Sequence, residues 1–488
     1  MARMPSFVKK GGTLLSTLPL LVVLGCAGDP SEHPTVVALK SEFALQRVEK
    51  PFADPSESSA KLSAKPALTE PKGAVPLLPS GQEDFVAGEL LVKYRGVKVE
   101  EGFELLRSRN PHFDLKGAIE KFKENPYVEY VQPNYLHKIT SLPNDPILDK
   151  QWYLRNTGQE YLYEDGFTVQ KKRAKRGADI KAEKAWEFFN AYHDGKSEAV
   201  IALIDTGVDF DHEDLAGRFW INEKETGVDE SGADRRSNGI DDDGNGYVDD
   251  WRGWNFYSDS LEAENDPSDV HGHGTHLAGI VAAVSDNGTG VAGVGRGTKV
   301  MALRASSSKG ELTLADVLDA IRYAVENGAD IISMSFSMTK YSEIEHLAVK
   351  YAAEQGVVTV AAAGNDGADI VHYPAGYEEV IAVQASDQRD ERWKLSNYGS
   401  HIDIAAPGVA IYSTLPARSY DAWSGTSMAT PIVSAVLGTM KALYPTLTAE
   451  ELKERLLSTA DDVDWKSPKH ALKLGARRVN YYRALAEW

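Results

Sequence analysis

Residues 199–204 read Ala-Val-Ile-Ala-Leu-Ile and run directly into Asp205. An apolar side chain at every position predicts a strand that is buried on both faces, as in a parallel sheet. Comparable apolar runs occupy residues 299–304, 330–335, 357–362 and 380–384. Helical patterns occupy residues 273–284, 313–327, 342–355, 427–443 and 448–458. This alternation predicts an α/β fold, with a parallel sheet covered by helices on both faces.

Three polar motifs follow one another along this pattern. Asp205 ends a strand, where the active sites of α/β sheets lie. His271, His273 and His276 share the segment HGHGTHLAG, residues 271–279, and Ser427 lies in GTSMATP, residues 425–431. A serine is a poor nucleophile until a base removes its proton and a third group holds that base. The order Asp, His, Ser therefore predicts nucleophilic catalysis, with three histidines as candidate bases.

At these residues the chain resembles the subtilisin-like serine proteases. The resemblance implies that Ser427 attacks the scissile carbonyl, that His273 is the general base and that Asp205 orients it. It further implies that Asn365, which follows the run Ala-Ala-Ala-Gly at residues 361–364, donates a hydrogen bond to the oxyanion. The implied activity is that of a serine endopeptidase that works through an acyl-enzyme and processes itself from a proenzyme. The implied fold is the subtilisin-like parallel sheet.

The same resemblance implies a set of substrate-binding residues. They are Ser335, Phe336, Ser337, Ala362, Ala363, Gly364 and His372. Ser337 stands where the family has glycine, and His372 where it often has a small residue. We hypothesise that these two side chains narrow the S1 pocket or favour polar substrate residues; the alternative is that His372 is a surface histidine. Tyr373-Pro374 resembles a cis peptide of the family.

The composition limits the classes of partner. The chain has 488 residues, enough for two or more compact units, and a formal net charge of −19. Nucleic acid is not an expected partner, because binding phosphates requires a basic face. With Cys26 as the only cysteine, an intramolecular disulfide framework is excluded. We expect a monomer acting on proteins or peptides.

The amino terminus has the layout of a secretory signal. Basic residues precede an apolar stretch at residues 14–24, which ends in Val-Leu-Gly before Cys26. This ending resembles a bacterial lipobox, which implies a signal peptide at residues 1–25 and a lipid anchor on Cys26. The alternative is an ordinary cleaved signal. Residues 26–83, rich in Pro, Ser, Ala, Glu and Lys, predict a disordered tether.

A small α+β unit is predicted at residues 84–142, with strands at 89–94 and 127–131 and a helix at 116–125. It resembles the inhibitory propeptide of subtilisin-like proteases, with a ferredoxin-like fold, and would bind the enzyme in cis. The alternative is an unrelated accessory domain. The catalytic domain would then be residues 143–488. Cleavage near residues 141–143 would separate it from Cys26, giving an anchored precursor in the cell envelope and a released extracellular enzyme.

Two segments suggest calcium sites. In the acidic segment 238–250, Asp241, Asp243, Asn245 and Asp249 follow the spacing of an EF-hand loop, although Arg252 stands at its twelfth position. Asp250 or a more distant carboxylate would close this site; the alternative is a solvated acidic turn. The family resemblance implies a second site at Asp145, Asp214 and Asn287. We expect one or two structural Ca²⁺ ions.

Other observations leave alternatives open. Residues 161–176, which end in Lys-Lys-Arg-Ala-Lys-Arg, are not typical of the family and predict an exposed basic loop. One alternative function is a catalytically silent binding protein on a protease scaffold. Another is a dedicated maturation protease or peptide ligase with narrow substrates.

Overall fold

The computed structural model describes residues 30–47, 85–97, 103–108, 110, 113–135, 142–164, 169–257, 264–463 and 477–487. The chain divides into two compact units, Met1–Lys138 and Ile139–Trp488. The predicted signal peptide and Cys26 lie outside the described residues. No helix in the described part of the chain is both long and apolar enough to cross a membrane.

The first unit is a four-stranded antiparallel sheet with two helices. Its elements are α1 (Pro34–Glu42), β1 (Leu45–Arg47), β2 (Phe85–Tyr94), β3 (Glu104–Ser108), α2 (Leu115–Glu124) and β4 (Val128–Tyr135). The strand order is β1-β3-β2-β4. Helix α2 is capped by Asp114, whose side chain accepts a hydrogen bond from the backbone N–H of Gly117, and its Phe122 packs on Leu90 and Leu106 in the small core.

Two expectations for this region differ from the structure. Residues 30–47, predicted to be part of the tether, form α1 and β1, and β1 pairs with β3. Val36 and Leu45 are buried in the core of the unit, so this segment has apolar anchors that its overall composition conceals. A ferredoxin-like unit begins strand-helix-strand, whereas the described elements begin with a helix followed by three strands.

The second unit is built on an eight-stranded parallel sheet, as the apolar runs predict. In chain order its strands are β7 (Ala199–Asp205), β8 (Gly253–Asn255), β9 (Thr298–Arg304), β10 (Ile331–Met334), β11 (Val358–Ala362), β12 (Ile381–Ser386), β13 (Ile404–Pro407) and β16 (Arg477–Arg478). Two antiparallel hairpins accompany the sheet: β5 (Glu160–Glu164) with β6 (Val169–Arg173), and β14 (Ile411–Leu415) with β15 (Ser419–Trp423). The helices are α3 (Ala182–Tyr192), α4 (His273–Ala282), α5 (Leu314–Glu326), α6 (Glu343–Glu354), α7 (Thr426–Leu443), α8 (Ala449–Ser458) and α9 (Tyr481–Ala486).

Strand β7 shows why the apolar run is continuous. Ile201 and Leu203 belong to the core on one face of the sheet, together with residues of α4 and α7, whereas Ala202 and Ile204 belong to the core on the other face, with residues of α5. Successive side chains of a strand point to opposite faces, so a strand covered on both faces has no polar position.

The strand order β16-β13-β12-β11-β10-β7-β9-β8 contains a reversal. After β7 the chain builds β8 and β9 on one side, and then continues with β10 on the other side of β7. A reversal of this kind opens a crevice at the carboxyl ends of the two strands, which is where α/β sheets bind ligands. Asp205 ends β7, and Ser335 directly follows β10, at this crevice.

The predicted basic loop at residues 161–176 is largely a hairpin. Strands β5 and β6 pair in register from Glu160 with Arg173 to Glu164 with Val169. Lys171 and Arg173 are exposed, and Lys175, which follows the hairpin, lies 3.2 Å from a carboxylate oxygen of Asp390. Alternating side chains within the segment allow strand pairing, which its charge alone does not indicate.

Candidate active site

Asp205 and His273 form a direct contact at the crevice. The Nδ1 atom of His273 lies 2.7 Å from Oδ1 of Asp205, which also accepts a hydrogen bond from the N–H of Thr206. Burial alone would lower the pKa of His273, but the charge and hydrogen bond of Asp205 outweigh it and raise the pKa above its usual value. This pairing fixes the ring and leaves Nε2 as the nitrogen available to a nucleophile.

The histidine is placed by the start of α4, which begins at His273. The residue before it, Gly272, has a φ of 102°, which favours glycine. A side chain at Gly274 would collide with the backbone carbonyl of Gly207, so this glycine lets α4 approach the loop after β7. Asp269 accepts hydrogen bonds from Thr206 Oγ1 at 2.8 Å and from the N–H of Gly272 at 2.8 Å, and thereby joins the same two segments.

The other two candidate bases occupy different positions. His276 is fully buried and stacks on Trp423, with ring centroids 5.0 Å apart. Burial and the neighbouring His273 lower its pKa to about 4, so it stays neutral at physiological pH. His271 is exposed and lines the mouth of the crevice. His273 is therefore the histidine that the structure pairs with a carboxylate.

Ser427 lies in the first turn of α7 and is joined to Ser335 by two hydrogen bonds. The Ser427 hydroxyl donates to the carbonyl oxygen of Ser335, and the Ser335 hydroxyl donates to the carbonyl oxygen of Ser427, each at 3.0 Å. The second bond has a cause in the sequence. Pro431, four residues further along the helix, has no N–H to donate to that carbonyl. Among the described residues, no hydrogen bond joins Ser427 to His273, so the hydroxyl must rotate before it can meet the base.

Asn365 lies just beyond β11 with its amide held in one orientation. Its Oδ1 accepts hydrogen bonds from the N–H of Thr426 at 3.0 Å and from the Thr426 hydroxyl at 2.8 Å. These contacts direct the Nδ2 group away from Thr426, and no acceptor for Nδ2 is found among the described residues. The N–H of Ser427, in the first turn of α7, also has no partner within the helix. Both are donors of the kind that stabilise an oxyanion.

The predicted substrate-binding residues lie around these groups. Ala362 and Ala363 are buried, and Gly364 has a φ of 97°. His372 is 7% exposed; its Nδ1 lies 2.9 Å from the Ser337 hydroxyl and its Nε2 lies 2.8 Å from Oδ2 of Asp366. His372 is therefore not a surface histidine but the middle of a polar chain beside Ser337. The Tyr373-Pro374 peptide bond is cis, as predicted.

A cavity of about 580 Å³ extends from His273 along the residues that follow β10. Its wall includes Asp205, His271, Lys309, Glu311, Leu312, Val317, Ser335, Phe336, Ser337, Met338, Glu345 and Tyr373. The cavity therefore combines the pair of Asp205 and His273 with a largely apolar recess that also contains a second buried acid, Glu345.

The acidic segment brings two of the predicted calcium ligands together. Glu225, Asp241 and Asp243 place carboxylate oxygens within 4.8 Å of one another. Glu225 is fully buried, and burial raises its pKa to about 7. Within the part of the chain that the structure describes, its Oε2 atom has no hydrogen-bond partner. A buried, unpaired carboxylate oxygen beside two further carboxylates fits the oxygen ligands that Ca²⁺ prefers.

The other two predicted ligands of this segment have protein partners. Asn245 donates to Asp250 at 2.9 Å, and Asp249 accepts from the N–H of Gly239 at 3.1 Å. Asp250 also accepts from Tyr323, so it does not close the cluster. Asn245 and Asp249 thus shape the loop, and the more distant carboxylate left open by the sequence is Glu225.

The second predicted calcium site is also assembled. Asn287 donates to Oδ1 of Asp214 at 2.8 Å, while Oδ2 accepts from the N–H of Val291 at 2.8 Å. Burial raises the pKa of Asp214 to about 6, and the nearby Asp145 carboxylate adds to the rise. Asp145 has a buried oxygen, Oδ1, that finds no hydrogen-bond partner among the described residues. Two neighbouring carboxylates whose pKa values are raised by burial again fit a cation.

Sequence reasoning missed three residues of the site: Glu225, Asp269 and Asp366. Glu225 precedes the acidic segment by more than ten residues, and no local spacing connects the two. Asp269 lies two residues before His271 and four before His273, and Asp366 directly follows Asn365. A carboxylate so close to a candidate catalytic residue is a signal that could have been used.

Comparisons of the chain with protein families, known sequences and solved structures all identify proteases. The model of the subtilase family, peptidase S8, matches residues 196–476, more than half of the chain. A thermophilic serine proteinase from Bacillus sp. strain AK1 is 33% identical over 388 residues, covering 80% of this chain and 79% of the relative. A halolysin-like extracellular serine protease from Natrialba magadii is 33% identical over 388 residues, covering 79% and 62%. A solved protease structure from Pseudoalteromonas arctica matches with a TM-score of 0.54 and 27% identity, covering 71% and 99%.

Proposed function

This chain belongs to the subtilase family and is a subtilisin-like serine endopeptidase, and from that premise we propose that Asp205, His273 and Ser427 are its catalytic triad. The observation that carries the proposal is the contact of 2.7 Å between His273 and Asp205. Ser427 in the first turn of α7 and the oriented Asn365 support it. A silent binding protein has no need for this arrangement.

In the proposed reaction, Ser427 rotates from the Ser335 carbonyl toward His273. His273 Nε2 takes the hydroxyl proton as the Ser427 oxygen bonds to the scissile carbonyl carbon. The carbonyl π electrons move to its oxygen, and Asn365 Nδ2 and the N–H of Ser427 stabilise the resulting negative charge. Asp205 stabilises the imidazolium without taking its proton.

The tetrahedral intermediate then collapses. The bond from carbon to nitrogen breaks, the leaving amine takes the proton from His273, and an ester links Ser427 to the acyl half of the substrate. Water repeats the sequence: His273 takes a water proton, the oxygen attacks the ester, and the proton returns to Ser427. The products are a free carboxylate and a free amine, so no other reactant is needed.

Substrate selection is proposed to involve Ser335, Phe336, Ser337, Ala362, Ala363, Gly364 and His372. An extended peptide can add as a strand to the backbone after β10. Ser337 and His372 place a hydroxyl and an imidazole beside this backbone, where the family has glycine and often a small residue. This favours polar substrate side chains in S1 and keeps a maturation protease with narrow substrates as the second candidate function.

We propose that structural Ca²⁺ binds at one or both acidic clusters. Glu225, Asp241 and Asp243 would hold one ion, with Asp249 and Asn245 supporting the loop. Asp145, Asp214 and Asn287 would contribute to the other. In support of the proposal, Glu225 and Asp145 each carry a buried oxygen for which the described residues provide no hydrogen-bond donor. The ions would supply counter-charge and join distant segments, but no catalytic step passes through them.

The proposed maturation follows from the order of the segments. Residues 84–142 would be an inhibitory propeptide that acts in cis, and Ser427 would cut near residues 141–143. Cys26 would carry the lipid anchor of the precursor, ahead of this cut. The extracellular relative from Natrialba magadii supports secretion. The mature enzyme would then be released from the envelope as a monomer.

The experiment compares the wild-type precursor with Ser427→Ala, each with and without Ca²⁺, and sequences the amino termini of the products. We expect the wild type to acquire a new amino terminus near residue 143 and to degrade casein, and the variant to do neither. A variant that is cut at the same bond, without added protease, would contradict self-processing. A wild type that neither cleaves casein nor labels at Ser427 with diisopropylfluorophosphate would contradict the triad.

A further inference from the structure

Glu345 is an unusual component of the cavity beside His273. It is the third residue of α6, and its side chain is 2% exposed. The same cavity is lined by Leu312, Val317, Met338 and Tyr373, which are apolar or aromatic. Burying a carboxylate in such surroundings costs free energy unless a counter-charge or hydrogen bonds compensate.

The protein itself supplies little compensation. The Tyr377 hydroxyl lies 2.7 Å from Oε2 of Glu345, but it also lies 2.9 Å from the carbonyl oxygen of Ser342, and a hydroxyl has one proton to donate. Neither a donor to Oε1 nor a cation paired with Glu345 is found in the part of the chain that the structure describes. Burial raises the pKa of Glu345, in keeping with the missing counter-charge.

Helix capping uses the backbone N–H of Glu345, which donates to the Ser342 hydroxyl, but not its carboxylate, because the N–H of Ser342 donates to the Tyr377 hydroxyl instead. An acid in the first turn of a helix is favoured by the helix dipole, but the exposed Glu343 already meets that preference on the same turn. Glu345 instead lines the cavity, where an apolar side chain would cost less. An acid held inside an apolar recess at a substrate crevice therefore indicates recognition of a substrate group.

We propose that Glu345 makes this cavity a subsite for a lysine or arginine side chain of the substrate; the inference rests on the proposed endopeptidase function. The aliphatic stem of the substrate residue would lie against Leu312 and Met338, and its cationic end would donate to the Glu345 carboxylate. Strand addition after β10 would place this residue away from the scissile bond, on the same extended segment. The enzyme would thus select a basic residue outside its cleavage site.

The test uses peptide substrates that differ in one residue, lysine or norleucine, scanned over the five positions on each side of the scissile bond. Norleucine has the stem of lysine without the charge. We expect the wild type to prefer lysine at one position by about tenfold or more in kcat/KM, the range for a hydrogen bond to a charged group. Glu345→Leu should reverse the preference at that position, and Glu345→Gln should reduce it.

Glu343→Gln is the matched control, because it removes the same charge from the exposed side of the same turn, and it should keep the wild-type preference. Glu311→Gln tests the exposed acid at the cavity rim; loss of the preference in this variant but not in the Glu345 variants would overturn the proposal. Thermal unfolding and active-site titration verify that each variant is folded. Equal cleavage of both peptides at every position by an active wild type overturns this inference alone, whereas a wild type that cleaves no peptide overturns the proposed function.

Discussion

The Oδ1 atom of Asn365 accepts two hydrogen bonds from Thr426, one from its backbone N–H at 3.0 Å and one from its hydroxyl at 2.8 Å. The end of β11 is thereby connected to the first residue of α7, and the amide is oriented before any substrate binds. An oriented donor contributes most to catalysis because nothing must reorganise as charge develops.

Replacing the amide is expected to slow the chemical step. Asn365→Ala should lower kcat by about 10²–10³ with a small change in KM, a loss known from subtilisin, which belongs to the same family. Thr426→Val, which leaves the amide present but removes one of its supports, should have a smaller effect of the same kind. Steady-state kinetics on one peptide measure both variants. A loss confined to KM in Asn365→Ala would argue against an oxyanion role.

The contact between Asp205 and His273 predicts a pH dependence. His273 accepts a proton only when neutral, and Asp205 raises its pKa, so wild-type kcat/KM should fall as the pH drops through a value above the usual 6.5. Asp205→Asn should lower kcat by about 10⁴ and move the residual acidic limb to lower pH. Profiles from pH 5 to 10, with Asp211→Asn as an exposed control, test this. An acidic limb at the same pH in wild type and Asp205→Asn would contradict it.

Calcium should stabilise the enzyme more at high pH than at low pH. Without a cation, Asp214 and Glu225 titrate near 6 and 7, above their unfolded values, so the folded state holds protons that the unfolded state has lost. The free energy of unfolding therefore decreases as the pH rises through this window. Bound Ca²⁺ would offset this loss, because it supplies a positive charge beside the buried carboxylates. The melting temperature with Ca²⁺ minus that with EDTA should be larger at pH 8 than at pH 5.

Two variants on the same helical turn, one at Glu225 and one at Glu223, test this prediction. Glu225→Gln should reduce the calcium-dependent increase in melting temperature, whereas Glu223→Gln, which alters an exposed side chain two residues earlier, should leave it intact. Isothermal titration at pH 8 counts the ions. An increase that is independent of pH, or equal in both variants, would speak against the cluster around Glu225.

Ser337 and His372 predict a restricted S1 preference. Ser337→Gly should raise kcat/KM for peptides with large apolar P1 residues several-fold, because it removes a side chain beside the substrate strand. His372→Gln keeps much of the volume but changes the polar chain to Asp366, and should shift the preference among polar P1 residues. A P1 peptide library measures both variants. Profiles identical to the wild type would remove these residues from specificity.

The parallel sheet was predictable because strands such as β7 are apolar on both faces, a local property. The motifs single out Asp205 and His273, and the structure places Nδ1 of His273 2.7 Å from Oδ1 of Asp205. Residues 30–47 were not predictable, because composition averages over the few apolar anchors, such as Val36, that a short segment needs. Glu225 could not be found from spacing, since the chain fold alone brings it to Asp241.

The structure also assigns roles to individual residues that the sequence left open. The sequence does not show the role of Gly274, whose small size admits the backbone of Gly207 in the structure. His372 was open between a pocket residue and a surface residue, and the structure buries it against Ser337. Such differences depend on which segments approach each other across the crevice, and no single segment carries that information.

The first turn of α7 is not a self-sufficient helix. Pro431 has no N–H to donate to the carbonyl of Ser427, and the hydroxyl of Ser335, just after β10, donates to it instead. The position of Ser427 therefore depends partly on the end of a different element, strand β10. Anyone transplanting this serine into a new scaffold must move the strand end together with the helix, since the motif GTSMATP alone would arrive without one of its supports.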